Sequence, residues 1–149
     1  MRAIKINPPL ITLLIVLAML ALNAALPQPR LITPLFNALG LALIALGAVM
    51  NLWSARWFRR KKTTIDPRGD ARYLVQEGLY RFTRNPMYLG MLVTLLGVSI
   101  YLGSLAALFG PPVFVWIVGL RFIRREEQNL LARFGEEYAQ YRARVRRWI

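Results

Sequence analysis

The chain has no cysteine and no histidine, and its 149 residues include only seven acids: Asp66, Asp70, Glu77, Glu126, Glu127, Glu136 and Glu137. Disulfides, thiolate nucleophiles, imidazole bases and the usual zinc sites are therefore excluded, and no metal site is expected. Carboxylates, tyrosines and arginines remain as the groups able to do chemistry. Charge of either sign is also missing from Ile6 to Pro29, from Leu31 to Ala55 and from Asn85 to Leu120.

Those stretches are filled by apolar residues. Hydrophobic residues make up 56% of the sequence, and mean hydropathy is +0.40. About 20 apolar residues in helix cross a hydrocarbon core of roughly 30 Å, so each of the first two stretches holds one span. The third is too long for one. Gly103-Ser104 and Gly110-Pro111-Pro112 interrupt it, which predicts one helix from Met87 to Leu102, a tight turn, and another from Leu105 to Phe122. Both are short for full spans, with Arg121 and Arg124 snorkelling to the interface. Gly110-Pro111-Pro112 is also compatible with a kink or a re-entrant element. The expected fold is an all-α integral membrane protein of about four transmembrane helices, a cytoplasmic loop and a C-terminal amphipathic helix. Residues 1–149 read as a single membrane domain, with 1–58 carrying the first two helices and 59–149 the hairpin core.

The basic residues set an orientation. Lys and Arg number 2 before the first helix, 1 (Arg30) between the first and second, 9 from Arg56 to Arg84, none between the third and fourth, and 8 from Arg121 to Arg147. That alternation predicts cytoplasmic termini and an even number of spans. The net charge of +13 then reflects topology and attraction to anionic headgroups, with no nucleic-acid partner implied. Trp53, Trp57 and Trp148 fall where apolar runs meet basic ones, as interfacial anchors do. Pro27-Gln28-Pro29 is a poor cleavage site after the first apolar run, which reads as a retained helix rather than a signal peptide.

Asn85-Pro86 predicts a helix start, with Asn as the cap and Pro in the first turn. Such a start also offers free amides and a positive dipole end to a polar ligand. Tyr80 and Tyr88 flank it, with rings able to stack on a heterocycle. At the far end of the hairpin Arg121, Arg124, Arg125, Glu126 and Glu127 follow one another within about a turn and a half, presenting acid and base to a zwitterion. A tight hairpin returns this cluster to the leaflet of Asn85 and Tyr88. Beyond it Leu130, Leu131, Phe134, Tyr138, Tyr141 and Val145 recur at helical spacing, broken at Gly135. The pattern fits an amphipathic helix that either lies on the membrane or folds over a pocket.

Leu74-Val75, Gly78-x-Tyr80, Arg84-Asn85-Pro86-Met87-Tyr88-Leu89-Gly90, Glu126-Glu127-x-x-Leu130 and Phe134-Gly135-Glu136-Glu137-Tyr138-x-x-Tyr141 together resemble the C-terminal core of the isoprenylcysteine carboxyl methyltransferase and phospholipid methyltransferase superfamily. The likeness covers about Arg72 to Val145 and is nearest the compact bacterial members. It implies an integral membrane enzyme, here of the bacterial inner membrane, that moves a methyl group from S-adenosylmethionine to a lipophilic acceptor drawn from the bilayer. Cofactor contacts carry over to Leu74, Val75, Tyr80, Asn85, Pro86, Met87, Tyr88 and Glu126. The family motif has His where this chain has Asn85, so an imidazole role is lost there. Members that methylate a carboxylate place an arginine where this chain has Phe122, leaving Arg121, Arg124 and Arg125 as displaced candidates. The expected catalytic set is Glu126, Arg121 and Arg125.

Methyl transfer from a sulfonium is a displacement in which alignment dominates, worth about 7 to 11 kcal/mol. A carboxylate acceptor needs no base, whereas an amine needs Glu126, Glu127 or a tyrosine to take its proton. Two other readings compete. Sterol reductases with a similar Arg-His-Pro-x-Tyr segment bind NADPH, although they are larger. A non-enzymatic scaffold or carrier is the third, and a carrier would ordinarily hold an ionisable residue inside a span, where this chain has none.

Overall fold

The structure, a computed structural model, describes residues 7–26, 29–60 and 73–149, without the side chains of 58–60. Arg2, Lys5, Pro27-Gln28 and the Lys61 to Asp70 loop, with Asp66 and Asp70, lie outside the described residues. Helix α1 spans Pro8–Ala25 and α2 spans Asn37–Arg60 after a 3₁₀ turn at Pro34–Phe36. Helix α3 spans Pro86–Leu102 after a second 3₁₀ turn at Gly78–Arg81. Next come α4 at Leu105–Leu108, α5 at Gly110–Val118, a π turn at Gly119–Ile123 and α6 at Arg124–Arg144. Among the described residues, α1, α2 and the run from Leu105 onward are long and apolar enough to cross a membrane, and α3 is a shorter apolar helix.

Local chemistry explains the boundaries. Asn7 caps α1 by accepting the Leu10 amide at 3.1 Å. Gly103 ends α3 with φ of 67°, a left-handed conformation glycine adopts without strain. Ser104 restarts the chain by capping α4 through the Ala107 amide. Gly110-Pro111-Pro112 does not end the helical run that starts at Leu105. The backbone at Phe109 stays in the helical region and the prolines fall in the first turn of α5, where a missing N–H costs little, so the run is kinked but continuous.

Helix α3 is central. One face lies on α2 through glycines at heptad spacing: Gly40 meets Gly97, and Gly47 meets Gly90 and Thr94. Close approach of backbones across small residues is how helices associate where lipid removes the hydrophobic drive. The other face joins Tyr88, Met91 and Leu95 to Ile11 and Met19 of α1, to Phe114 and Val118 of α5, and to Phe122 and Ile123 of the π turn. Gly110 lets α1 come close, because a side chain there would strike Met19.

The two ends of the bundle are distinct. At one, Leu31 and Ile32 donate backbone hydrogen bonds to the Gly103 carbonyl, and Arg30 donates to the Tyr101 carbonyl at 3.0 Å. The α1–α2 and α3–α4 connections therefore share one end, as the alternation of charge predicts. The opposite end carries the start of α3, the π turn and α6. Trp148 is half-buried and packs against the central core. Trp57 backs onto Gly78, whose φ of 62° brings the loop against the indole.

Candidate functional site

The site forms because the α3–α5 hairpin folds back on itself. Pro86 begins α3, and the ring of Tyr88, in the first turn, points toward the run after α5. The π turn at Gly119–Ile123 buries Phe122 and Ile123 and hands on to α6, whose first turn holds Glu126 and Glu127. Single π turns inside α-helices often occur at functional sites, because the extra residue re-aims the next turn of helix. Here the Tyr88 hydroxyl donates to Glu126 Oε2 at 3.2 Å, across 38 residues of chain.

Glu126 lies past the apolar stretch, in the charged helix. Burial pushes its carboxyl up to about 7; the Tyr88 hydroxyl works against that rise and the neighbouring Glu127 adds to it. Tyr80 is buried within the 3₁₀ turn, and burial followed by the nearby Glu126 charge moves its hydroxyl well above the usual value. Burial raises Tyr141 as well. These phenols stay protonated at neutral pH and serve as donors, not bases.

Glu127 has a different setting. Arg84 reaches it at 3.0 Å, and Arg147 grips it through Nε at 2.9 Å and Nη2 at 2.6 Å. Arg84 also donates to the Tyr138 hydroxyl at 3.2 Å. Glu127 is thus engaged by two guanidiniums, whereas Glu126 meets the neutral Tyr88 hydroxyl.

Leu74 and Val75 are buried at 5% exposure each, and Leu74 packs with Tyr138 and Tyr141, flanked by Leu130, Phe134 and Val145. Helix α6 therefore folds over the loop rather than lying apart from it. Tyr141 donates to the Tyr80 carbonyl at 2.7 Å, Gln76 to Glu137 at 3.2 Å, and Arg144 to Gln76 at 3.3 Å. Gly135 breaks α6 with φ of 49° and ψ of −119°, letting its second half bend over Leu74.

One expectation is corrected, that of the Asn85 cap. Asn85 occupies the cap position of α3, but its side chain makes no cap hydrogen bond; Nδ2 donates instead to the Arg147 carbonyl at 2.9 Å. Arg121 and Arg125, with Arg124, are exposed, and the hydrogen bonds and ion pairs of the described residues bring none of the three to Tyr88 or Glu126. Helical phase explains this: burial of Phe122 and Ile123 turns their neighbours outward. The arginines that do enter the site are Arg84 and Arg147. Arg84 stands inside the motif that runs to Gly90, so its position was visible, whereas its partner and the approach of Arg147 were not.

The fold and this site define an all-helical integral membrane protein with a tyrosine–carboxylate pair at one end of its bundle. A family model described as phospholipid methyltransferase matches residues 35–137. The chain belongs to that family. It is 40% identical over 63 residues to an uncharacterized protein of Haemophilus influenzae, covering 42% of this chain and 100% of that one. It is 33% identical over 72 residues to a protein-S-isoprenylcysteine O-methyltransferase of Schizosaccharomyces pombe, covering 48% of this chain and 30% of the relative. Protein-S-isoprenylcysteine O-methyltransferase B of Arabidopsis thaliana matches at 31% over 108 residues, covering 71% of this chain and 55% of the relative. The match thus spans less than two thirds of either named relative's length. No solved structure matches the chain.

Proposed function

We propose that the protein is an S-adenosylmethionine-dependent methyltransferase acting on a lipid-linked or hydrophobic acceptor at the cytoplasmic face of a bacterial inner membrane, with both termini cytoplasmic. The observation that carries this reading is the Tyr88–Glu126 hydrogen bond, which unites the two ends of the family motif in one place. The residues fit the cofactor's chemistry: a partly buried carboxylate for an ammonium or ribose hydroxyls, apolar Leu74 and Val75, and buried tyrosines beside them. With no side-chain cap on α3, the first-turn amides of Met87 and Tyr88 remain for a polar ligand, while Pro86 has none to offer.

When bound, the cofactor supplies an electrophilic methyl group on sulfur. The protein's part is alignment and exclusion of water. Glu126 holds the cationic end, Tyr88 orients Glu126, backbone groups around Asn85 meet the adenine or carboxylate, and the second half of α6 covers the loop. The acceptor approaches sideways from the bilayer. Arg121 and Arg125 are released from the catalytic set, and their exposed guanidiniums meet lipid headgroups instead.

Calorimetric titration of the detergent-purified protein with S-adenosylmethionine and S-adenosylhomocysteine tests the reading, with NADPH for comparison. Micromolar binding of the first two is expected, weakened about tenfold or more in Glu126→Gln, as losing a charged hydrogen bond predicts. Binding of NADPH alone, or unchanged affinity in the folded variant, would sink it.

A further inference from the structure

The segment after α6 returns across the start of α3. The Arg146 carbonyl accepts the Arg84 amide at 3.0 Å. The Arg147 carbonyl accepts from Thr83 Oγ1 at 3.1 Å and from Asn85 Nδ2 at 2.9 Å. Trp148 packs into the central core. The Arg147 side chain meanwhile reaches back along α6 to Glu127, which Arg84 grips from the α3 side. One carboxylate is thus held from two separate elements, and the segment that carries one of its partners is seated on the helix start by Asn85.

We propose that Asn85 and Arg147 are positioning residues: Asn85 seats the segment, and Arg147, together with Arg84, holds Glu127 so that the adjacent Glu126 is turned onto Tyr88. Neighbouring side chains on a helix diverge by roughly 100°, so fixing Glu127 fixes the direction of Glu126. The constraint is needed because α6 follows a π turn, and nothing lies within 4 Å of where a side chain on Gly119 would point. Phe122 and Ile123 anchor the apolar side of that turn, and the guanidiniums anchor the polar side. The clamp also neutralises Glu127, the like charge nearest Glu126.

The groups facing Glu126 are Tyr88 from α3, Tyr80 from the 3₁₀ turn and Glu127 from its own helix. Releasing Arg147 loosens the Tyr88 hydrogen bond, which holds the Glu126 pKa down, and leaves Glu127 less neutralised, which pushes it up. Both changes act upward. The functional consequence, though not the geometry, rests on the reading of Glu126 as the cofactor's carboxylate.

The test is an infrared titration of the full chain in lipid nanodiscs, with the Glu126 carboxyl band assigned by its loss in Glu126→Gln. In Arg147→Met the midpoint of that band should rise by roughly a unit, and Arg147→Lys should restore most of it. Affinity for S-adenosylhomocysteine should fall about tenfold in Arg147→Met with a similar recovery in Arg147→Lys. An unmoved midpoint in folded Arg147→Met overturns the proposal. Should that variant fail to fold, Asn85→Ala, which leaves every charge in place, must shift the same band upward, and no shift there overturns it equally. Variants whose bands shift as expected, beside a wild type that binds no S-adenosylhomocysteine, uphold the positioning and defeat the cofactor reading.

Discussion

Glu126 holds a proton in the folded protein over a range where the unfolded chain has lost it, because its carboxyl is raised from 4.5 to about 7. Its contribution to stability is therefore fully present below the lower value and is lost as pH rises to the upper one. Glu126→Gln should flatten that slope and raise Tm above pH 7, an effect on the order of 1 to 3 kcal/mol, read by thermal scans of both proteins from pH 5 to 8. If Glu126 holds the cofactor as proposed, affinity should move the opposite way, strengthening as pH rises through about 7, because the carboxylate would be the binding form. Glu126 and Tyr88 were both visible in the sequence as members of a motif. Which of the adjacent acids faces Tyr88 was not, since that depends on helix phase across a π turn that no spacing of apolar residues announces. The pairing of Glu127 with Arg84 and Arg147 joins groups 43 and 20 residues apart, and periodicity carries no information at that range.

Helix boundaries were easier to read than helix contacts. Gly103-Ser104 and Pro86 act locally, one by a positive φ and a hydroxyl cap, the other by a ring that suits a first turn, so the sequence places α3 within a residue of its ends. Gly110-Pro111-Pro112 reads in the sequence as a break, yet its prolines fall in the first turn of α5, where the ring is tolerated. The glycine seam between α2 and α3 is a matter of pairing and was hidden: each glycine alone is ordinary, and only the antiparallel register brings Gly40 to Gly97 and Gly47 to Gly90. A methyl at residue 97 would stand 2.6 Å from the Gly40 carbonyl oxygen. Gly97→Ala should therefore destabilise the protein by about 1 to 3 kcal/mol by overpacking, measured as a lower Tm in detergent. Gly135→Ala separates strain from crowding, because nothing lies within 4 Å of the new methyl. Its cost, also about 1 to 3 kcal/mol, comes from φ of 49° alone, and the loss should appear as faster hydrogen exchange over α6.

The arrangement of charge along the chain and the contacts at the two ends of the bundle are independent observations that agree. Arg30 is the basic residue of the α1–α2 connection, and it lies with Gly103 at one end. Arg84, Arg146 and Arg147 gather with Glu127 at the other. On the proposed reading, the positive-inside bias puts the second end, and with it the Tyr88–Glu126 site, on the cytoplasmic side, where a polar cofactor would be available to an acceptor held in the bilayer. Natural absence of cysteine makes the assignment directly measurable, since any thiol introduced is the sole one in the chain. Leu35 is 84% exposed at the Arg30 end and Phe82 is 74% exposed beside the site. A membrane-impermeant maleimide should label Leu35→Cys on intact spheroplasts and Phe82→Cys only after permeabilisation. The reverse pattern would put the site outside and remove the cofactor's supply. Labelling of both from one side would contradict a crossing by α2, the helix that lies between them.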